Sequence, residues 1–280
     1  MFSSEEIARY YDVSEIHYKR HWDLSKSLSL HYGYWDASTK NFHEALLNIN
    51  KVLSDLAGIR QGEKVLDAGC GIGGSSIWLA RNKDVEVTGI SLSEKQVATA
   101  NALARREGLM PKARFEQKDF TNTNYSSSSF DIVWAIESVC HAPDKSAFIN
   151  EAYRLLKPGG RLIMADFFRK ENIAGKDAAL VQQWAHGWAV DDFATIEDFE
   201  EQLQEAGFKL ISIQDATTAI MPSAKRLYRA WFPGALLGHL YRLFNRKATA
   251  FGKKNVDTAR LQYISLKKGL WKYNIILVHR

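Results

Sequence analysis

An acid stands inside a run of glycines at Val65 to Gly74, VLDAGCGIGG, with glycines at 69, 71, 73 and 74. A chain that leaves an apolar strand, turns sharply and enters a helix at Ser75 to Arg81 needs positions without a Cβ and with φ free to turn positive. A ligand lying against that backbone adds to the demand. Asp67 marks the carboxyl end of the strand and points into the crevice where such folds bind ligands. No Lys followed by Ser or Thr closes the turn, so a mononucleotide phosphate loop is excluded. Dinucleotide-binding folds use a similar device, and the turn alone leaves the ligand open. The two cysteines, Cys70 and Cys140, fall in or beside the same crevice and give no disulfide framework. Cys140 and His141 lack further ligands at workable spacing, so no metal site is predicted.

The elements that must hold this turn are legible along the chain. At 280 residues, with 46% hydrophobic and 12% aromatic residues, there is core material for one domain with a sizeable addition. Helices are expected at Ser3 to Arg9 and at Phe42 to Ala57, where Leu46, Leu47, Ile49, Val52, Leu53 and Leu56 recur at helical spacing. Strands are expected at Val65 to Asp67, Val85 to Ile90, Ala113 to Gln117, Phe130 to Ala135, Arg161 to Asp166, Phe208 to Asp215 and Trp271 to Val278. Between the fourth and fifth, Lys145 to Leu156 reads as an amphipathic helix and Lys157 to Gly160, KPGG, as a turn. Thr195 caps a helix running to Ala206, with acids at 197 and 198 in its first turn. This succession predicts an α/β fold with a mostly parallel sheet, helices on both faces, and ligands at the carboxyl ends of the strands. Residues 1–60 are expected to form a helical lid, 61–166 the ligand-binding core, and 167–280 the rest of the sheet with insertions at about 167–194 and 216–262. Ser126 to Ser129 reads as a surface turn.

Charge separates the last part from the rest. Residues 222–280 hold thirteen Lys or Arg against one acid, Asp257, and so carry +12; the whole chain is +5, which leaves −7 for residues 1–221. Aromatics are interleaved with these cations. Leu236, Leu237, Leu240, Tyr241 and Phe244 share one helical stripe, and Pro233-Gly234 is expected to break this helix from the one before. A basic amphipathic helix suits an anionic membrane surface, a cover over a lipophilic ligand, or nucleic acid phosphates, and equally a lid packed on its own domain. Nothing in the sequence is long and apolar enough to span a bilayer. The polar, acidic start MFSSEEIARYYD is unlike a secretory signal, and a cytoplasmic protein, in contact with a membrane at most peripherally through residues 222–272, is expected.

The acid-x-Gly-x-Gly-x-Gly turn, followed about ninety residues later by strand, helix, KPGG and strand, resembles the S-adenosylmethionine-dependent methyltransferases of the seven-stranded, Rossmann-like class. WAIESVCHAPDK, Trp134 to Lys145, resembles the segment after strand four of sterol C-methyltransferases and, less closely, of tocopherol methyltransferases. Tyr10 to Trp35 is similar to the aromatic amino-terminal segment of both families, and VTGISLSEKQ, Val87 to Gln96, to the tocopherol-type second strand. The likeness covers about residues 8–215 and implies a methyltransferase for a lipophilic small molecule, a terpenoid, sterol, quinol or similar natural product.

It also implies a site. Gly69 and Gly71 would approach the methionine portion of S-adenosylmethionine, with Asp67 accepting from its amino group. Ser91 and Gln96 would hold the ribose where many members place an acid, Leu92 would lie on the adenine, and Asp119 and Phe120 would bond its amino group and cover its ring. Glu137 faces the same crevice, and Tyr10 and Trp35 are expected to close over the cofactor. Methyl transfer is an in-line displacement that asks for alignment and a water-poor pocket. For a hydroxyl or amine acceptor, His31 or His141 could take the proton. For an alkene, the cation formed needs aromatic faces and a carboxylate, a demand that Glu137 with Tyr11, Trp35, Trp134, Trp184 and Trp188 would meet. Two other readings compete, an enzyme for a polar metabolite and a cofactor-binding protein without turnover. A nucleic-acid methyltransferase is disfavoured, because AIESVCH lacks the prolines and aromatic clamp that follow strand four in base-modifying members.

Overall fold

The structure is a computed structural model that describes residues 2–21, 28–244 and 250–280, with the side chains of 13–21, 210–211, 232–244 and 250–256 outside the description. Seven strands form one sheet in the order β3-β2-β1-β4-β5-β7-β6. They are β1 (Lys64–Ala68), β2 (Glu86–Ser91), β3 (Ala113–Gln117), β4 (Phe130–Ile136), β5 (Leu156–Arg169), β6 (Lys209–Asp215) and β7 (Trp271–His279). All neighbours are parallel except β7, which runs antiparallel to both β5 and β6. The strand order reverses between β1 and β4, and a crevice opens there at the carboxyl ends of the strands. Helices cover both faces, so β1 and β4 are buried on both sides along most of their length, and their sequences are mostly apolar, broken at Asp67 and Asp131.

The helices are α1 (Ser4–His21), α2 (Phe42–Leu56), α3 (Gly74–Asn82), α4 (Glu94–Arg106), α5 (Lys145–Leu155), α6 (Gly175–Gly187), α7 (Ile196–Glu205), α8 (Thr217–Phe244) and α9 (Ala250–Lys267). Side-chain caps fix several starts. Asn41, Ser93 and Asp144 accept from backbone N–H groups of the first turns of α2, α4 and α5, and Thr195 caps α7 as expected, its Oγ1 3.1 Å from the Asp198 amide. One core layer lies between the sheet and α2 to α4 and runs into an aromatic cluster around Phe167; the other lies under α5 and α7.

Three expectations are corrected. The helix read as Ser3 to Arg9 runs on to His21, and its inner face is already closed over the domain at Ile7 and Tyr10, which are 4% and 3% exposed. KPGG is not a turn before β5 but lies inside it. Leu156 pairs with Phe130 and Arg161 with Ile132, so Lys157 to Gly160 bulge out opposite the single residue Asp131, with Gly159 at φ 77°. Finally, Pro233-Gly234 lies within α8 and does not break it. The lost backbone bond is outweighed by packing, since Ile220 and Ala224 are fully buried and Tyr228 stacks on Tyr263 of α9 at 4.8 Å. The stripe expected at Leu236 to Phe244 falls outside the described side chains. Among the described residues no helix is long and apolar enough to cross a membrane.

Candidate active site

The glycine turn forms one wall of a cleft of about 1020 Å³, its open mouth included. Gly69, Gly71 and Gly73 all take positive φ, at 93°, 53° and 87°. At Gly69 an added Cβ would lie 2.3 Å from the Cβ of Ser138, whose hydroxyl donates to the Ala68 carbonyl at 2.6 Å. At Gly71 an added Cβ would meet only Leu30, at 3.7 Å, so the backbone there is open to the cleft. Asp67 is 2% exposed, lines the cleft, and accepts from Ser76 Oγ at 2.6 Å. Burial pushes its carboxyl up to about 7 although the Ser76 bonds pull it down. This donor set and the bare backbone at Gly71 fit a nucleoside-linked amino acid.

The remaining expected cofactor residues converge on the same cleft, Ser91, Leu92, Gln96, Asp119, Phe120 and Glu137 among them. Ser91 Oγ donates to Gln96 Oε1 at 2.8 Å, so the two polar groups expected at the ribose already form a pair. Asp119 accepts from the Thr121 amide and hydroxyl at 2.8 and 2.7 Å, and Phe120 stands edge-on to Phe148. Tyr10 and Trp35 do not line the cleft. Trp35 turns away, its backbone N–H donating to the Ala219 carbonyl at 2.9 Å and its Nε1–H to Ser223 Oγ at 2.9 Å, so it packs on α8. Tyr10 points into the core, while Tyr11, one residue on and thus about a quarter-turn round the helix, faces the cleft.

Helix α1 and the residue pair before it lie over the cleft, and among the described residues four groups tie them down. The Phe2 amide donates to both oxygens of Asp191 at 2.9 and 3.0 Å, Ser4 Oγ to Asp119 at 3.3 Å, Ser93 Oγ to Asp12 at 2.6 Å, and Tyr11 meets His141 Nε2 at 2.7 Å. His141 Nδ1 lies 3.3 Å from the Ala189 carbonyl. That carbonyl can only accept, so Nδ1 carries the proton and Nε2 accepts from the Tyr11 hydroxyl. Burial lowers His141 to about 4, and the imidazole is neutral at pH 7. The loop bearing it is clamped by Lys145 Nζ, which donates to the carbonyls of Cys140 and Ala142 at 2.8 and 2.6 Å, and by Asp166, which accepts from the Cys140 amide at 2.9 Å.

Glu137 leaves β4 with φ 50°, an uncommon value for a glutamate. Its Oε1 accepts twice, from the Tyr32 amide at 2.7 Å and from the Tyr273 hydroxyl at 2.9 Å. Both anchors take one oxygen, and Glu137 lines the cleft. Burial raises its carboxyl to about 8 against the two hydrogen bonds. His31 also lines the cleft, with Nδ1 donating to the Tyr32 carbonyl at 2.9 Å, and burial lowers it to about 4. Of the aromatics expected around Glu137, only Tyr11 faces the cleft. Trp134 and Trp184 are fully buried, Trp184 among Phe167, Phe193 and Trp271, and Trp188 packs on Tyr32 and Phe167. The carboxyl is held instead by the Tyr32 amide and the Tyr273 hydroxyl, 105 and 136 residues away in sequence; no local motif signals either. Among the described residues no group of three His, Cys, Asp or Glu could hold a metal ion.

A family profile for a methyltransferase domain matches residues 66–164. A 27-O-demethylrifamycin SV methyltransferase from Amycolatopsis mediterranei is 37% identical over 195 residues, covering 70% of this chain and 72% of the relative. A chloroplastic tocopherol O-methyltransferase from Arabidopsis thaliana is 30% identical over 267 residues, covering 88% and 75%. The fold is shared by a cyclopropane synthase from Mycobacterium tuberculosis, 16% identical with a TM-score of 0.84 over 100% of this chain and 99% of that one.

Proposed function

The chain belongs to the S-adenosylmethionine-dependent methyltransferases, and from that premise we propose that it methylates a lipophilic small molecule at a hydroxyl oxygen. The observation that carries the reading is the Tyr11–His141 hydrogen bond inside a cleft whose apolar lining includes Ile7, Leu28, Leu30, Ile136 and Pro143. Relatives that act on rifamycin and tocopherol precursors support the lipophilic class.

When bound, S-adenosylmethionine supplies a methyl group on a sulfonium. Asp67 and the backbone at Gly71 would hold the amino acid end, Ser91 and Gln96 the ribose, and Leu92, Asp119 and Phe120 the adenine. Helix α1 excludes water above them, which strengthens each polar contact within. Methyl transfer to a hydroxyl oxygen would release that hydroxyl's proton, and His141 Nε2 would take it, either directly or by way of Tyr11. The imidazolium so formed would balance the positive charge lost from the sulfonium, leaving the total charge in the cleft unchanged. Base assistance of this kind is worth about 10²–10⁴ in rate.

Methylation at carbon is the second reading, and Glu137 favours it once ionised, above about pH 8, because the carboxyl is held by one oxygen at the cleft wall beside Tyr32 and Tyr273. Residues 222–272 are read as contacting an anionic bilayer from which such an acceptor is drawn. Co-sedimentation with phosphatidylglycerol vesicles, and not with phosphatidylcholine vesicles, is the expected outcome. The deciding experiment offers methyl-labelled S-adenosylmethionine with a lipid-soluble extract, a water-soluble extract and nucleic acid separately. Label in the lipid-soluble fraction, as an alkali-stable methyl ether, is expected. Label confined to the water-soluble fraction or to nucleic acid overturns the reading.

A further inference from the structure

The segment that carries His31 along the cleft wall is fastened from outside by the insertion between β6 and β7. Gly33 packs so tightly on α2 that an added Cβ would lie 2.7 Å from the Ala45 Cβ. Its amide donates to Ser223 Oγ on α8 at 3.1 Å, and Trp35 bonds the same serine. Tyr32, 1% exposed, is held at both ends. Its amide donates to Glu137 Oε1, and its hydroxyl donates at 2.8 Å to Oε1 of Gln262 on α9.

Gln262 is fully buried, and its orientation is fixed. Its Nε2 donates to the carbonyls of Ala224 and Ala259 at 2.9 and 3.0 Å, which only an amide nitrogen can do, so Oε1 must face Tyr32. Its backbone carbonyl accepts from Trp271 Nε1 at 3.0 Å, at the start of β7, the strand that also supplies Tyr273. Both donors to Glu137 therefore trace back to the same place on the insertion.

We propose that Gln262 is a positioning residue for the Glu137 carboxyl, acting through Tyr32. A carboxyl left with one oxygen for the cleft presents it correctly only while both donors to the other oxygen stay in place. The insertion then does more than cover the acceptor: α9 sets the aim of a group on the far wall. That Glu137 serves the acceptor rests on the reading above; that Gln262 holds it does not.

The test follows the protonated-carboxyl infrared band of Glu137, identified by its loss in Glu137→Gln, through a pH titration of the cofactor-free protein. The other titratable groups facing Glu137 are Tyr273, Asp166, His31, His141 and Cys140. In the unaltered protein the band should titrate near 8. Loosening Tyr32 weakens a bond to the ionised form, so Tyr32→Phe and Gln262→Leu should each move the midpoint up by about one unit. The double variant should move it no further than either single. Trp35→Phe, which touches α8 but not Tyr32, should leave it in place. An unmoved midpoint in both variants, or an equal shift in Trp35→Phe, overturns the proposal. Label transfer to the lipid-soluble fraction separates the two claims. A shifted band with Glu137→Gln transferring label at the normal rate leaves the positioning intact and removes the acceptor role.

Discussion

The two halves of the cleft are assembled from different distances along the chain. On the cofactor side the polar pairs are local: Asp67 with Ser76, Ser91 with Gln96 and Asp119 with Thr121 are nine, five and two residues apart. On the opposite side Tyr32 meets Gln262 across 230 residues, Gly33 meets Ser223 across 190, and Tyr273 meets Glu137 across 136. Local pairs come with the strand and turn that carry them. Distant ones exist only when the insertion has docked, so that side is the one whose geometry sequence changes elsewhere can retune.

Substitution at Gly69 should break the local side most severely. Gly69→Ala puts a Cβ 2.3 Å from that of Ser138 at φ 93°, and the affinity for S-adenosylhomocysteine, read by calorimetry, should fall by more than about 100-fold. Gly62→Ala is the matched control. Its φ is 81° but nothing lies within 4 Å, so it should cost only the backbone strain of about 1–2 kcal/mol and leave binding unchanged.

Next in size is the proton path. His141→Ala should lower turnover by about 10²–10⁴, and Tyr11→Phe by roughly tenfold, with cofactor affinity nearly constant in both. A larger loss in Tyr11→Phe would make the phenol, and not the imidazole, the group that meets the acceptor proton.

A smaller effect is expected in stability against pH. Glu137 is raised to about 8 and Asp67 to about 7, so the folded state holds protons that the unfolded chain has released, and both contributions are lost as pH rises through those values. His31 and His141, lowered to about 4, contribute in the opposite sense: their share is present above 6.5 and lost as pH falls toward 4. Between pH 6.5 and 8, above the histidine window, the contributions of Glu137 and Asp67 are being lost, and the Tm of the cofactor-free protein should fall across that window. Glu137→Gln should flatten the slope; an unchanged slope would place the titrating group elsewhere. Least of all, Trp35→Phe removes one hydrogen bond to Ser223 and should cost about 1 kcal/mol in chemical denaturation without touching cofactor affinity.

That contrast also explains what the sequence made legible. The central strands and the glycine turn were readable because buried parallel strands such as β4 and the middle of β5 are mostly apolar and the turn chemistry is local. Asp67, Ser91, Asp119 and Phe120 could be put on the cleft wall because each lies at or just beyond the carboxyl end of a strand. Trp35 was misread since its partners on α8 lie far along the chain, and Tyr10 because one position of helical rotation decides between core and cleft. Gln262 carries no signature at all: a glutamine in a basic helix looks solvated until Tyr32 is packed against it. Pro233-Gly234 and KPGG misled in a different way, as local breakers overruled by the helix packing and strand pairing around them.

The four ties of α1 bear on timing. They are spread from Asp191 and His141 past Ser93 to Asp119, so a nucleoside beneath the helix cannot leave by loosening one end. At about 1 kcal/mol each, releasing all four together slows exchange by roughly a thousandfold relative to an open cleft. Spent cofactor would then depart on the schedule of the helix, and release, more than methyl transfer, would set the pace of turnover.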